Sequence, residues 1–218
     1  MSESKYKTMS PFSLSCKYTV NLCNTVKHNN IELSTQEQTA LEIIESVGAV
    51  TSFQLEGLAW TKNTTRHKLN KLSNYGIINK YNLKGEYTLN VYTLNKLSNL
   101  DNILRTLAVA QLYTKILKLQ QPCLVLKADK PLNTYIKFKE ITFPVMVIRN
   151  NDNIKTLPII IKSLNIDKLI IISEEFYPDY KFIDTQVRIT TDRDLLEKPL
   201  TDAFYLPNGS RDKAIVFI

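Results

Sequence analysis

The chain has 218 residues, 44% of them hydrophobic and 22% charged, enough apolar material for a core in one or two modest domains and too much for a disordered protein. No apolar run is long enough to span a bilayer, and the start, MSESKYKTMS, lacks the apolar stretch of a signal peptide, so a cytoplasmic protein with no membrane partner is expected. The formal net charge is +7 and uneven: residues 1–118 hold 14 Lys and Arg against 8 Asp and Glu, and residues 119–218 hold 14 against 13, so the first half carries the cationic field that favours a polyanionic partner.

Residues 1–30 read as a tail followed by an N-terminal strand. In FSLSCKYTVNL, residues 12–22, Phe12, Leu14, Cys16, Tyr18, Val20 and Leu22 alternate with polar residues, the period of a half-buried strand. Cys16, Cys23 and His28 match no standard zinc spacing and lack a fourth ligand, so no metal site is expected and the three cysteines, Cys123 included, read as buried thiols.

Residues 31–98 follow a helix, helix, turn, helix, hairpin order. Ser34 and Glu37 have capping-box spacing, Leu41, Ile43, Ile44 and Val47 recur at near-helical intervals, and Gly48 supplies the stop. Thr51 can cap a short helix through SFQLEGLA, and Thr61 a third helix running to about Tyr75, which Gly76 ends in the position that favours positive φ. Two strands around the KGE turn follow. No Asp or Glu stands between Glu56 and Glu86.

On a wheel at 100° per residue, Thr65, Leu69 and Leu72 share the core side of the third helix. Asn63, His67, Asn70 and Asn74 line the opposite side, flanked by Arg66 and Lys71. Asn pairs with adenine edges and Arg with guanine in the major groove, which admits a helix. Lys62, Lys68, Lys80 and Lys84 are placed for phosphates, Lys84 at the hairpin tip, and Thr64 joins the candidate contacts in the first turn. The alternative is an ordinary polar helix face. His67 has no neighbouring carboxylate or nucleophile in sequence to serve as a catalytic base.

The stretch TSFQLEGLAWTKNTTRHKLNKLSNYGIINKY resembles the core of winged helix-turn-helix DNA-binding domains. The resemblance rests on Thr61, Leu69, Leu72, Gly76, Ile77 and Ile78 and covers about residues 32–95. It implies that the third helix reads double-stranded DNA while the hairpin, as the wing, holds the backbone.

Residues 99–119 read as a long connecting helix with Asp101 as its cap. Leu104, Leu107, Val109, Leu112, Tyr113 and Ile116 spread over more of its surface than one packing face needs, so either the second half or a second copy of the chain must cover them. The expectation is a homodimer contact. From residue 120 to 218, the β-rich runs CLVLKA, TYIKF, FPVMVI, KLIIIS, QVRIT, AFYLP and AIVFI interleave with NDNIKTLPIIIKSLN and RDLLEK, which read as helices. The fold class is therefore α+β, an N-terminal winged helix domain, a long helix and a small α/β domain.

Five scattered glycines form no phosphate-cradling loop, so no cofactor is expected. Asp129, Glu140, Asp192 and Asp202 are widely spaced, and no Glu-x-Lys follows a suitable Asp, as a two-metal nuclease would need. The whole chain also resembles replication-relaxation proteins of Gram-positive mobile elements, through RTLAVAQLYTKIL and the ending LTDAFYLPNGSRDKAIVFI. That resemblance implies a nuclease-like second half. The sequence departs from the family's Pro-Asp-Ala pattern at Thr201, Asp202 and Ala203 and lacks the acid that closes the next strand, so the second half reads as a degenerate, non-catalytic remnant. Three functions stay open: a sequence-specific DNA-binding protein regulating transcription or serving plasmid replication or transfer, a nuclease-like enzyme, and a winged-helix adaptor for protein.

Overall fold

A computed structural model describes residues 9–23, 32–96, 99–183 and 186–212. The fold is mixed α+β with two sheets. In the first half, helix α1 (Thr35–Val47), strand β2 (Val50–Thr51), the single-turn helix α2 (Ser52–Leu55), helix α3 (Lys62–Asn74) and the hairpin β3 (Asn79–Lys84) and β4 (Thr88–Thr93) follow a preceding strand β1 (Thr19–Leu22). The sheet order is β1-β3-β4-β2, antiparallel throughout.

Local chemistry sets these elements as the sequence predicts, with exceptions. The Ser34 hydroxyl accepts from the Glu37 amide, and the Glu37 carboxylate accepts from the Ser34 amide, closing the capping box. Gly76 has φ 72°, and the Gly76 and Ile77 amides donate to the Ser73 and Leu72 carbonyls, a Schellman ending that a Cβ would strain. The helix expected from Ser52 to Ala59 stops at Leu55; Gln54 Oε1 accepts from the Thr51 amide to start it.

The continuous strand expected over residues 12–22 is not formed. Leu14–Cys16 is a 3-10 turn capped by the Ser13 hydroxyl, Lys17 takes a left-handed φ of 48°, and only Thr19–Leu22 pairs as a strand. Serine hydroxyls that bond locally offer the backbone an alternative to a ladder. Phe12, Cys16 and Tyr18 are buried, but Val20 and Leu22 are 38% and 52% exposed. His28 and residues 1–8 lie outside the described residues.

The long helix α4 spans Leu100–Lys118. Asn99, not Asp101, caps it, accepting from the Asn102 amide; Asp101 instead accepts from Arg105 one turn on. Leu104, Leu107, Val109, Leu112, Tyr113 and Ile116 are all buried within the one chain. The expectation that they form a dimer contact is therefore corrected: the second half and the first half cover them together.

The second sheet runs β5 (Cys123–Lys127), β6 (Thr134–Phe138), β7 (Ile141–Ile148), β8 (Lys168–Ser173) and β9 (Gln186–Thr191) in that spatial order. The first three strands pair antiparallel and the last three parallel. Helix α5 (Leu157–Ser163) follows a 3-10 turn in the crossover from β7 to β8, and helix α6 (Asp192–Glu197) follows β9 directly. The run AFYLP contributes only isolated bridges at Tyr205, and AIVFI lies outside the described residues. One apolar core runs from Phe12 to Phe204 across both halves; a second fills the far face of the sheet, where Met146, Ile148, Leu169 and Ile171 meet Leu157, Ile161 and Tyr180.

Arg149, just past β7, is wholly buried and pairs with Asp192 at 2.9 Å. Burial pushes the Asp192 carboxyl above its ordinary range, and the Arg149 guanidinium opposes that push. Arg149→Leu, which leaves a buried carboxylate alone, will cost about 3–5 kcal/mol in urea denaturation, and adding Asp192→Leu will recover most of the loss. Leu112→Glu will abolish the cooperative unfolding transition followed by circular dichroism, rather than convert a folded dimer to a folded monomer, because the carboxylate would enter the single-chain core.

Candidate nucleic-acid interface

Helix α3 turns Thr65, Leu69 and Leu72 fully into the core, as its wheel predicts. That orientation leaves Lys62, Asn63, Thr64, Arg66, His67 and Asn74 exposed on the outer side. Thr64 also serves the helix start, donating its hydroxyl to the Thr61 carbonyl at 3.1 Å. Helix α3 carries no carboxylate of its own, since none lies between Glu56 and Glu86.

Four of the predicted contacts, Asn70, Lys80, Lys71 and Lys68, are engaged with other side chains of the protein. Asn70 is half-buried, and its Oδ1 accepts from Lys80 Nζ at 2.9 Å and from the Tyr92 hydroxyl at 3.2 Å. Burial pushes the Tyr92 hydroxyl up to about 12, against the nearby Arg66 charge, so it stays a donor at neutral pH. Lys71 Nζ donates to Glu37 Oε1 at 3.1 Å, and Lys68 approaches the same oxygen at 3.6 Å. Lys71 and Lys68 thus turn toward α1 rather than along the outer face. Lys84, at the hairpin end, is exposed.

Strand β1 adds residues that the sequence reading passed over. It pairs Thr19 with Lys84 and Asn21 with Asn82, and directly opposed residues share a sheet face. Asn82 in turn donates to Asn90 Oδ1 across the hairpin at 3.1 Å. The face that carries Lys80 and Lys84 is therefore a surface of amides, hydroxyls and lysines beside α3. The amide and lysine alternation in NKYNLK is visible in sequence, but its extension into β1 depends on a pairing between residues about sixty positions apart.

The second half places its acids differently. Asp152 pairs with Arg105, Asp192 with Arg149, Asp194 with Lys198 and Asp212 with Arg188, while Asp129, Glu140 and Asp202 are exposed. Among the described residues no three His, Cys, Asp or Glu side chains stand together as a metal site would require. Cys16 and Cys123 are buried as expected and Cys23 is half-buried. No helix among the described residues is long and apolar enough to cross a membrane.

Glu37 gives a pH prediction. Its side chain is 2% exposed. Burial raises its carboxyl pKa, but the bonds from Ser34 and Lys71 outweigh burial and hold it below the usual carboxylate range. A depressed folded-state pKa contributes stability that is present above the unfolded value and is lost as pH falls through the folded one. The urea midpoint of the wild type will therefore exceed that of Glu37→Gln at neutral pH, and the difference will shrink as the pH is lowered through the carboxylate range; equal pH profiles for the two proteins will refute the assignment.

No family model matches the chain, and comparison with curated proteins and with solved structures finds no match.

Proposed function

We propose that the chain binds double-stranded DNA in a sequence-specific way, with α3 in the major groove and the β3–β4 hairpin on the backbone. The observation that carries this reading is the exposed outer face of α3, where Lys62, Asn63, Arg66, His67 and Asn74 stand without a carboxylate among them. Arg and Asn are the side chains that pair bidentately with guanine and adenine edges, and a cationic surround suits the phosphates. The element order α1-β2-α2-α3-β3-β4, with β2 beside β4, supports reading the first half as a winged helix domain. The role is then transcription regulation, or an accessory part in replication or transfer of a mobile element.

The second half is read as a contact domain rather than a nuclease. Asp152, Asp192, Asp194 and Asp212 each face a basic partner, and Asp202 lies exposed on a 3-10 turn. Two-metal hydrolysis needs carboxylates free to converge on the ions. With α4 covered in its own chain, no dimer contact is assigned to it.

Selection of bound duplexes from a random library, followed by titration of variants, tests the reading. Arg66→Ala and Asn63→Ala will relax base preference at single positions, each costing about 1–3 kcal/mol on the selected site. Lys84→Ala will weaken binding evenly across sequences and lower the salt slope by about one unit. Equal losses on selected and random duplexes for Arg66→Ala will remove α3 from the groove, and failure to bind any duplex at low salt will remove the function. Asn70→Ala, by contrast, will lower stability, because it strips the acceptor shared by Lys80 and Tyr92.

A further inference from the structure

Residues 9–18 touch two places that are far apart in the sequence. At one end lie the carboxyl ends of β7 and β8. Glu174, the residue after β8, accepts from the Ser13 hydroxyl at 2.6 Å and from the Leu14 amide at 3.2 Å. Asn150, just past β7, donates to the Ser15 hydroxyl at 3.3 Å and accepts from Tyr177 at 2.6 Å. At the other end lies the turn of the β3–β4 hairpin. The Glu86 amide donates to the Cys16 carbonyl at 3.3 Å, and the Tyr87 hydroxyl donates to the Met9 carbonyl at 2.7 Å. A Cβ on Gly85 would lie 2.4 Å from the Cys16 carbonyl oxygen, so the segment and the turn meet at a distance only glycine allows. Between the two ends Phe12 is fully buried and stacks on Phe53, with ring centroids 6.2 Å apart. The chain then leaves directly as β1, which pairs Thr19 with Lys84.

We propose that residues 9–18 are a strap that positions the hairpin from the second half of the molecule, with the Glu174 carboxylate as its anchor. One carboxylate holds two donors on adjacent residues, so its removal releases both at once. Loosening at the ends of the parallel strands then reaches the hairpin turn through the strap. The strap stands on these contacts alone; its consequence for DNA rests on the reading of the hairpin as the backbone-holding arm.

Cys16 reports the state of the strap, because it is buried and its thiol donates to the Ser10 carbonyl at 3.3 Å. The experiment compares full-length wild type, Glu174→Gln and Glu174→Ala by two readouts: peptide-resolved alkylation of Cys16, and amide exchange over residues 84–88. Glu174→Ala will speed both by about 10-fold or more, the loss expected for hydrogen bonds to a charged group, and Glu174→Gln, which keeps an acceptor, by less. Exchange at Val50 and Thr51, on the far side of β4, will not change. Buried Cys123 controls for general loosening; if it too is alkylated faster, Gly85→Ala replaces the test, pushing on the Cys16 carbonyl without touching Glu174. The proposal is overturned if Cys16 opens while residues 84–88 exchange at the wild-type rate, or if neither changes. On a selected duplex, Glu174→Ala will weaken binding several-fold in the wild-type background and not in Lys84→Ala, following the loss of one positioned phosphate contact. Faster exchange at the turn with unchanged duplex affinity leaves the strap in place and overturns the role of the hairpin in DNA binding.

Discussion

A helix that is apolar on every side has to be covered on every side, and α4 is such a helix. Residues 107–114 are all buried, so no turn in its middle keeps a wet face. Helices α1 and α2 and strand β2 approach it from the first half; β5, β7 and α6 approach from the second. Each large apolar side chain taken fully out of water contributes about 1.5–3 kcal/mol, against roughly 0.5–1.5 kcal/mol net for an ordinary hydrogen bond. Apolar burial around α4 therefore binds the halves, and side-chain bonds to and from it fix how they sit. Gln54 donates to the Leu107 carbonyl at 2.8 Å, Arg149 to the Leu104 carbonyl at 3.2 Å, and Gln111 on α4 donates to the Leu195 carbonyl at 3.1 Å. Each of these polar side chains would be costly inside the core without that partner.

The same packing sorts the charges. Glu37 is enclosed at the start of α1 and draws Lys71 and Lys68 inward, which removes two cations from the outer face of α3. Arg66 and Lys62 have no such carboxylate beside them in sequence and stay exposed. In the second half Arg149, Arg188 and Lys198 are each set against an acid, and Arg105 on α4 against Asp152. The cationic character of the α3 face is thus a matter of pairing as well as of count: Glu37 takes up Lys68 and Lys71 and leaves Lys62 and Arg66 outside. A polyanion would meet a one-sided field.

Strand β1 and the strap before it give the hairpin a second support. A two-stranded hairpin standing alone is marginal in water, and this one is flanked by β2 on one side and β1 on the other. β2 is fixed by its place between α1 and α2, whereas β1 arrives from a segment seated on the second half. The geometry of the candidate interface consequently depends on both halves, although all of its outward-facing side chains belong to the first.

Short-range chemistry determined the elements that the sequence could specify. The capping box at Ser34 and Glu37, the glycine ending at Gly76, the wheel that buries Thr65, Leu69 and Leu72, and the hairpin around residues 84–88 all depend on residues within a few positions of each other, and each stands as read. Sequence also determined that α4 must be covered, because its apolar residues circle the helix. Only the tertiary structure decided what covers it, since a second copy and the second half present the same apolar demand. Likewise only the tertiary structure decided that Lys71 meets Glu37, that Asn70 serves Lys80 and Tyr92, and that residues 12–22 break at Lys17 to seat on Glu174 and the hairpin turn. Alternation in a strand pattern records which side chains are apolar, not where their backbone amides find partners; that depends on groups brought together from distant parts of the chain.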